Sequence, residues 1–133
     1  MVSLNFNHQK ELVMTLPKYE GSFRQVYRKY KHRSKLRGII FNLGPATFRE
    51  LAEKDCTYCG SSPTVTKEHL NIFNGAWPWN GIDRIDNTLG YEYGNVHTCC
   101  GVCNQLKSDL KEEDFISHIK SIFHNLEGSI TED

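Results

Sequence analysis

Apolar and polar positions alternate along the chain with more than one period, and the period marks the elements. In "KEEDFISHIKSIFHNL", Phe115, Ile116, Ile119, Ile122, Phe123 and Leu126 recur at helical spacing. This predicts an amphipathic helix closed near Gly128. Its acids Glu112, Glu113 and Asp114 suit the positive end of the helix dipole and need no further role. "PATFRELAEK" (Pro45–Lys54) predicts a second helix with proline in the first turn and Phe48, Leu51 and Ala52 inward. "SFRQVYRKYKHRSKLRG" (Ser22–Gly38) has only a thin stripe, Val26, Tyr30 and Leu36, yet its straight-chain residues favour helix. Ser22 is placed to cap it and Gly38 to stop it. "IIFNL" (Ile39–Leu43) reads as a short extended segment. Two short strands are expected around "NTLGYEYGN", and a helical turn after Cys103. Between Ser61 and Gly81 neither period holds, and the aromatic, turn-rich "NIFNGAWPWNG" predicts an irregular loop, with Trp77 and Trp79 packed beneath it in preference to the alternative of wedging against bases.

Charge adds a division that the apolar pattern does not show. The 133 residues are formally neutral, but residues 1–50 carry ten Lys/Arg against three Asp/Glu, and residues 51–133 carry six against thirteen. The balances are +7 and −7, which suggests a basic arm for a polyanion beside an acidic part. The arm concentrates in the first predicted helix: Arg24, Arg28, Lys29, Lys31, Arg33, Lys35 and Arg37 occur without an acid among them. With Tyr27 and Tyr30 interleaved, this row suits phosphate-backbone contact. No run of about 18 apolar residues is present, so no membrane span is expected. The first residues lack the basic-then-apolar order of a signal peptide, so a cytoplasmic location is expected.

Five cysteines then change the picture. "CTYC" and "CGVC" place Cys56, Cys59, Cys100 and Cys103 in two C-x-x-C knuckles with 40 residues between them. Each knuckle turns two thiolates onto one cation, and two knuckles complete the tetrahedral four-cysteine set of a structural zinc. Cys99 lacks the two-residue gap to Cys103 and is expected to stay a free, partly buried thiol. Such a staple compensates a small domain for a loop as long as 61–81.

Between the knuckles lies "GIDRIDNTLGYEYGNVHTCCGVCN", from Gly81 to Asn104. Together with the flanking "SKLRGIIFNLGPATFRELAEKDCTYCG" and "QLKSD", it resembles the HNH (ββα-metal) endonucleases, in the zinc-stapled form common in bacteriophages. The resemblance covers about residues 30–125. It implies an α+β fold: a zinc-stapled ββα-metal core, residues 45–133, with a basic helical arm over 1–44 and a C-terminal helix. It implies Asp83 and Asn104 as ligands of a divalent cation, Mg²⁺ or Mn²⁺. It also implies Asn95 beside the catalytic base and Lys107 at a phosphate. A carboxylate and an amide oxygen are the donors that a hard, water-retaining cation takes.

One position departs from the pattern. Arg84 stands where the family's general-base histidine follows the ligand aspartate. Arginine stays protonated and cannot take a proton from water. His97, two residues past Asn95 and so on its strand face, is the favoured replacement; Asp86, Tyr93 and His69 are weaker choices. Solvent could instead take the proton, with Arg84 clamping the phosphate. The expected function is therefore metal-dependent hydrolysis of double-stranded DNA by a monomer or homodimer, encoded by a virus and acting in its host. The rival is a zinc-stapled DNA-binding module that has lost the base.

Overall fold

A computed structural model describes residues 17–70, 72 and 74–131. Helix α1 spans Glu20–Leu36, strand β1 Phe41–Asn42 and helix α2 Pro45–Ala52. A 3-10 turn, Lys67–His69, interrupts the long connection to β2 (Gly81–Arg84). β3 (Tyr91–Glu92), β4 (Val96–Cys99), α3 (Gly101–Lys107) and α4 (Glu112–Thr131) follow. β2 and β4 form an antiparallel ribbon that pairs Gly81 with Cys99, Ile82 with Thr98, Asp83 with His97 and Arg84 with Val96. β1 and β3 pair in parallel, Phe41 with Tyr91. The ribbon followed by α3 is the ββα unit.

The ends of α1 show how local chemistry sets an element. Gly38 takes a φ of 69°, its N–H donates to the Lys35 carbonyl at 3.1 Å, and the Ile39 N–H donates to the Ser34 carbonyl at 2.8 Å. That is a Schellman closure, which needs a residue without Cβ strain at this position. Ser22 does not cap the helix. It lies inside α1, fully buried, with its Oγ 2.6 Å from His69 Nδ1 and accepting the Trp77 N–H at 3.0 Å. Pro45 opens α2 as expected, but the helix ends at Ala52, two residues early.

The core joins α1 to the ribbon. Phe23 and Val26 of α1 pack with Phe48 and Ala52 of α2, Trp77 of the connection, and Ile82 and Val96 of the ribbon. Tyr27 and Tyr30, expected beside phosphates, face this core instead. Tyr27 Oη donates to the Leu43 carbonyl at 2.7 Å, and Tyr30 Oη accepts the Ile82 N–H at 3.2 Å. Burial pushes the Tyr30 phenol up to about 12. Trp77 is 1 % exposed and serves packing, as the loop reading expected.

Two glycines allow close approach. A Cβ on Gly81 would lie 2.6 Å from Tyr30 Oη, and one on Gly90 would lie 2.4 Å from the Ile40 carbonyl oxygen. The second clash is with backbone, at the point where the Tyr91 N–H donates to that same oxygen at 2.8 Å. Gly90→Ala should therefore part β1 from β3 and cost about 1–3 kcal/mol, read from urea denaturation; an unchanged midpoint would contradict it.

Helix α4 runs through Gly128 to Thr131 rather than stopping there. Glycine weakens a helix interior without a residue that must end it. Of its apolar stripe only Phe115 is buried, against Tyr58 at 5.2 Å between ring centroids. Ile116, Ile119, Ile122, Phe123 and Leu126 stay exposed.

Candidate metal and nucleic-acid site

The two knuckles meet. The Sγ atoms of Cys56, Cys59, Cys100 and Cys103 lie within 4.8 Å of one another, with 3.6 Å between Cys59 and Cys100. Four sulfurs about 2.3 Å from one centre would sit a little under 4 Å apart, so a zinc ion fits with a slight contraction. Backbone donors support the sulfurs: the Cys103 N–H donates to Cys100 Sγ at 3.4 Å. Burial raises the Cys56 thiol, but the N–H groups of Cys100, Cys59 and Tyr58 outweigh it and bring the value down to about 6. The Ser61 hydroxyl, 2.7 Å away, lowers Cys59. Cys103 is pushed up by burial and by hydrogen bonding with Cys100, Cys59 and Cys56. Cys99 packs against Cys56 and Cys103 but is not one of the four clustered sulfurs. It is fully buried, its thiol donates to the Cys100 carbonyl at 3.5 Å, and burial together with Asp83 raises it to about 12.

On the ribbon, Asp83 and His97 are directly opposed. Opposed residues of an antiparallel pair project on the same face. Asp83 Oδ2 meets Lys107 Nζ of α3 at 2.9 Å, and Lys107 is fully buried. Neither atom has another hydrogen-bond partner among the described residues. Lys107, expected at a phosphate, is thus an internal counter-ion with no exposed surface. His97 Nε2 lies 3.0 Å from Glu112 Oε1 of α4, and Tyr58 Oη donates to the same oxygen at 3.4 Å. That leaves His97 Nδ1 for a further partner.

Asn95 is buried, and its amide closes the β2–β3 connection. Its Oδ1 accepts the Asp86 N–H at 3.0 Å, and its Nδ2 donates to the carbonyls of Asp86 and Gly90 at 3.1 and 2.8 Å. Arg84 Nη1 donates to the carbonyls of Asn87 and Leu89, both at 2.9 Å, while its guanidinium lies 5.5 Å from the Tyr91 ring centre. Asp86 accepts from the Thr88 hydroxyl and N–H at 2.6 and 2.9 Å, which hold its carboxyl below the usual range. Tyr93 is exposed and His69 is buried against Ser22.

Asn104, on α3, lines a cleft between α1 and the ββα unit, together with Arg33, Arg37 and Tyr91; Asp83 is outside that lining, on the strand β2 that packs against α3. The basic helix presents two rows: Lys29, Arg33 and Arg37 border this cleft, while Arg28, Lys31 and Lys35 border a shallow recess with His32, Ile39 and Phe41. Arg24 is paired with Glu20 at 3.1 Å, and Lys29 with Glu68 at 3.1 Å. The sequence offered no sign of Glu112 as the His97 partner, since 15 positions separate them on different elements. The cleft was equally hidden, because its walls come from distant segments.

The ribbon, the short helix and a four-cysteine cluster that could hold zinc make up a mixed helix-and-strand fold similar to that of a solved HNH endonuclease. A solved structure with this likeness is that of the rare-cutting HNH restriction endonuclease PacI, with a TM-score of 0.55, 19 % identity and coverage of 81 % of each chain. An uncharacterized protein of Acanthamoeba polyphaga mimivirus is 34 % identical over 90 residues, 68 % of this chain. The chain spans only 15 % of that viral protein's length. No family model matches. Among the described residues, no helix is long and apolar enough to cross a membrane.

Proposed function

We propose that the protein is a metal-dependent endonuclease that hydrolyses phosphodiester bonds of double-stranded DNA. The observation that carries this reading is the ββα unit itself, with Asp83 on the ribbon packed against the helix that bears Asn104. In this reading Asp83 and Asn104 hold Mg²⁺ or Mn²⁺, and the cysteine cluster holds zinc as a staple. A divalent cation at such a site supplies charge stabilisation for the phosphorane and the leaving oxygen.

The chain's own residues supply the rest. Lys107 fixes the Asp83 carboxylate by pairing with one oxygen. Glu112 orients His97 through Nε2, so that Nδ1 is the nitrogen that takes a proton from the attacking water. Arg84 keeps its place at the ribbon's end through two carbonyls and stabilises transition-state charge. Asn95 holds the loop that presents Arg84. His97→Ala should slow cleavage by roughly 10²–10⁴-fold and remove the acidic limb of the pH–rate profile. Glu112→Gln should slow it less and keep that limb. If His97→Ala cuts like wild type, the proton goes to solvent or to another residue.

Arg28, Lys31 and Lys35, with Arg24, fit the phosphates of flanking duplex. Reversing the charge of Arg28, Lys31 and Lys35 together should lower the slope of log affinity against log salt by about 0.9 for each phosphate no longer neutralised. An unchanged slope means that this row does not touch the backbone. The function itself is tested with supercoiled plasmid and Mg²⁺, where conversion to nicked or linear DNA is expected. A plasmid that is bound but never cut favours the binding-module reading, for which Arg84 in the base position is the specific support.

A further inference from the structure

The cleft beside Asn104 has a volume of about 460 Å³. Recesses of ~300–1,000 Å³ enclose ligands the size of one nucleotide. Its α1 wall carries Lys29, Arg33 and Arg37, spaced four apart and hence in one row along the helix. The facing wall carries Trp79, Tyr91 and Thr66, all part-exposed. Among the described residues Glu68 is the one acid in the lining, and it is already paired with Lys29.

A row of cations facing aromatic rings is the chemistry of a nucleotide: phosphate on one side, base on the other. A base inside a duplex is covered above and below by its neighbours, so it cannot enter a recess of this shape while stacked. We propose that this cleft is a subsite for one unpaired nucleotide of the DNA strand, its phosphate on the Arg33 row and its base against Trp79 and Tyr91. It rests on the nuclease reading only in taking DNA as the ligand. The two rows of α1 then divide the work: Arg28, Lys31 and Lys35 meet paired DNA outside, and Lys29, Arg33 and Arg37 meet the extrahelical nucleotide inside. Asn104 at the cleft border places that nucleotide next to the proposed cation site.

The test is binding in EDTA, where no cleavage occurs. Two otherwise identical DNA duplexes are compared, one with a single bulged 2-aminopurine and one with it paired. Wild type should bind the bulged probe at least about fivefold more tightly, the lower end of one base–aromatic contact. It should also quench the probe's fluorescence. Thr66→Trp fills the cleft from the wall away from the cations, and should bring bulged-probe affinity down to that of the paired duplex while leaving the latter unchanged. Arg33→Gln, on an exposed position, should lower bulged-probe affinity with an unchanged melting temperature, which covers the case of a Thr66→Trp protein that does not fold. Equal affinity of wild type for both probes overturns the proposal, as does a Thr66→Trp protein that folds and still prefers the bulge. A free deoxynucleoside monophosphate that competes as strongly as the oligonucleotide also overturns it, in favour of a free-nucleotide site. A protein that nicks plasmid without preferring the bulge loses the subsite and keeps the nuclease reading; one that prefers the bulge and never nicks does the reverse.

Discussion

Asp83→Ala should abolish cleavage and also destabilise the fold by about 3–5 kcal/mol. The second effect follows from Lys107, whose ammonium is fully buried 2.9 Å from Asp83 Oδ2 and has no other partner among the described residues. Removing the carboxylate strands a charge in a medium that solvates it badly. A net stability of roughly 5–15 kcal/mol leaves little room for such a loss. Lost activity in Asp83→Ala would therefore be ambiguous. Asp83→Asn with Lys107→Met removes both charges and keeps the volumes close, so it should fold near wild-type stability. Its cleavage should still be absent, because two neutral amides without the carboxylate's negative charge do not hold a divalent cation against its hydrating waters. Asn104→Ala, on a part-exposed position outside that ion pair, should abolish cleavage with little change in melting temperature. A folded double variant that cuts at the wild-type rate would remove Asp83 from the reaction.

The second large effect lies at the cysteines. Structural zinc contributes about 10–16 kcal/mol in small knuckle peptides, as much as or more than the whole net stability of a typical domain. Cys100→Ser should therefore unfold or aggregate the protein, and a chelator strong enough to strip the metal should do the same to wild type. Cys99→Ser should fold and keep one zinc per chain, since Cys99 Sγ turns to the Cys100 carbonyl and lies outside the cluster. Elemental analysis of the folded wild type checks this directly. Absence of zinc would mean that the four thiols hold the fold without a metal.

Much of the architecture was legible because it rests on short-range rules. Gly38 marks the end of α1 through its positive φ, Pro45 marks the start of α2, and the two C-x-x-C spacings mark the cluster. Ser22 misled because serine before a helical pattern reads as a cap, whereas here a buried hydroxyl ties α1 to His69 and Trp77 from distant segments. Tyr27 and Tyr30 sit among basic residues in sequence, yet their i, i+3 spacing turns them to the core side of α1. The candidate site was legible only as residue types that the fold sets on a ribbon and a helix. Its pairings were not: Asp83 with Lys107, His97 with Glu112 and Arg84 with two loop carbonyls depend on tertiary approach, which no periodicity records.

Phosphodiester hydrolysis by this chain is the central claim. The measurement that reaches it most directly is conversion of supercoiled plasmid, run with zinc-loaded wild type and with the Asp83→Asn/Lys107→Met protein at equal folded concentration. Mg²⁺ or Mn²⁺ is added in one arm and EDTA in the other. Wild type should give nicked or linear DNA with added cation alone, and the variant should give none in either arm. Cleavage by the variant at the wild-type rate, or no cleavage by wild type with either cation, would contradict the claim.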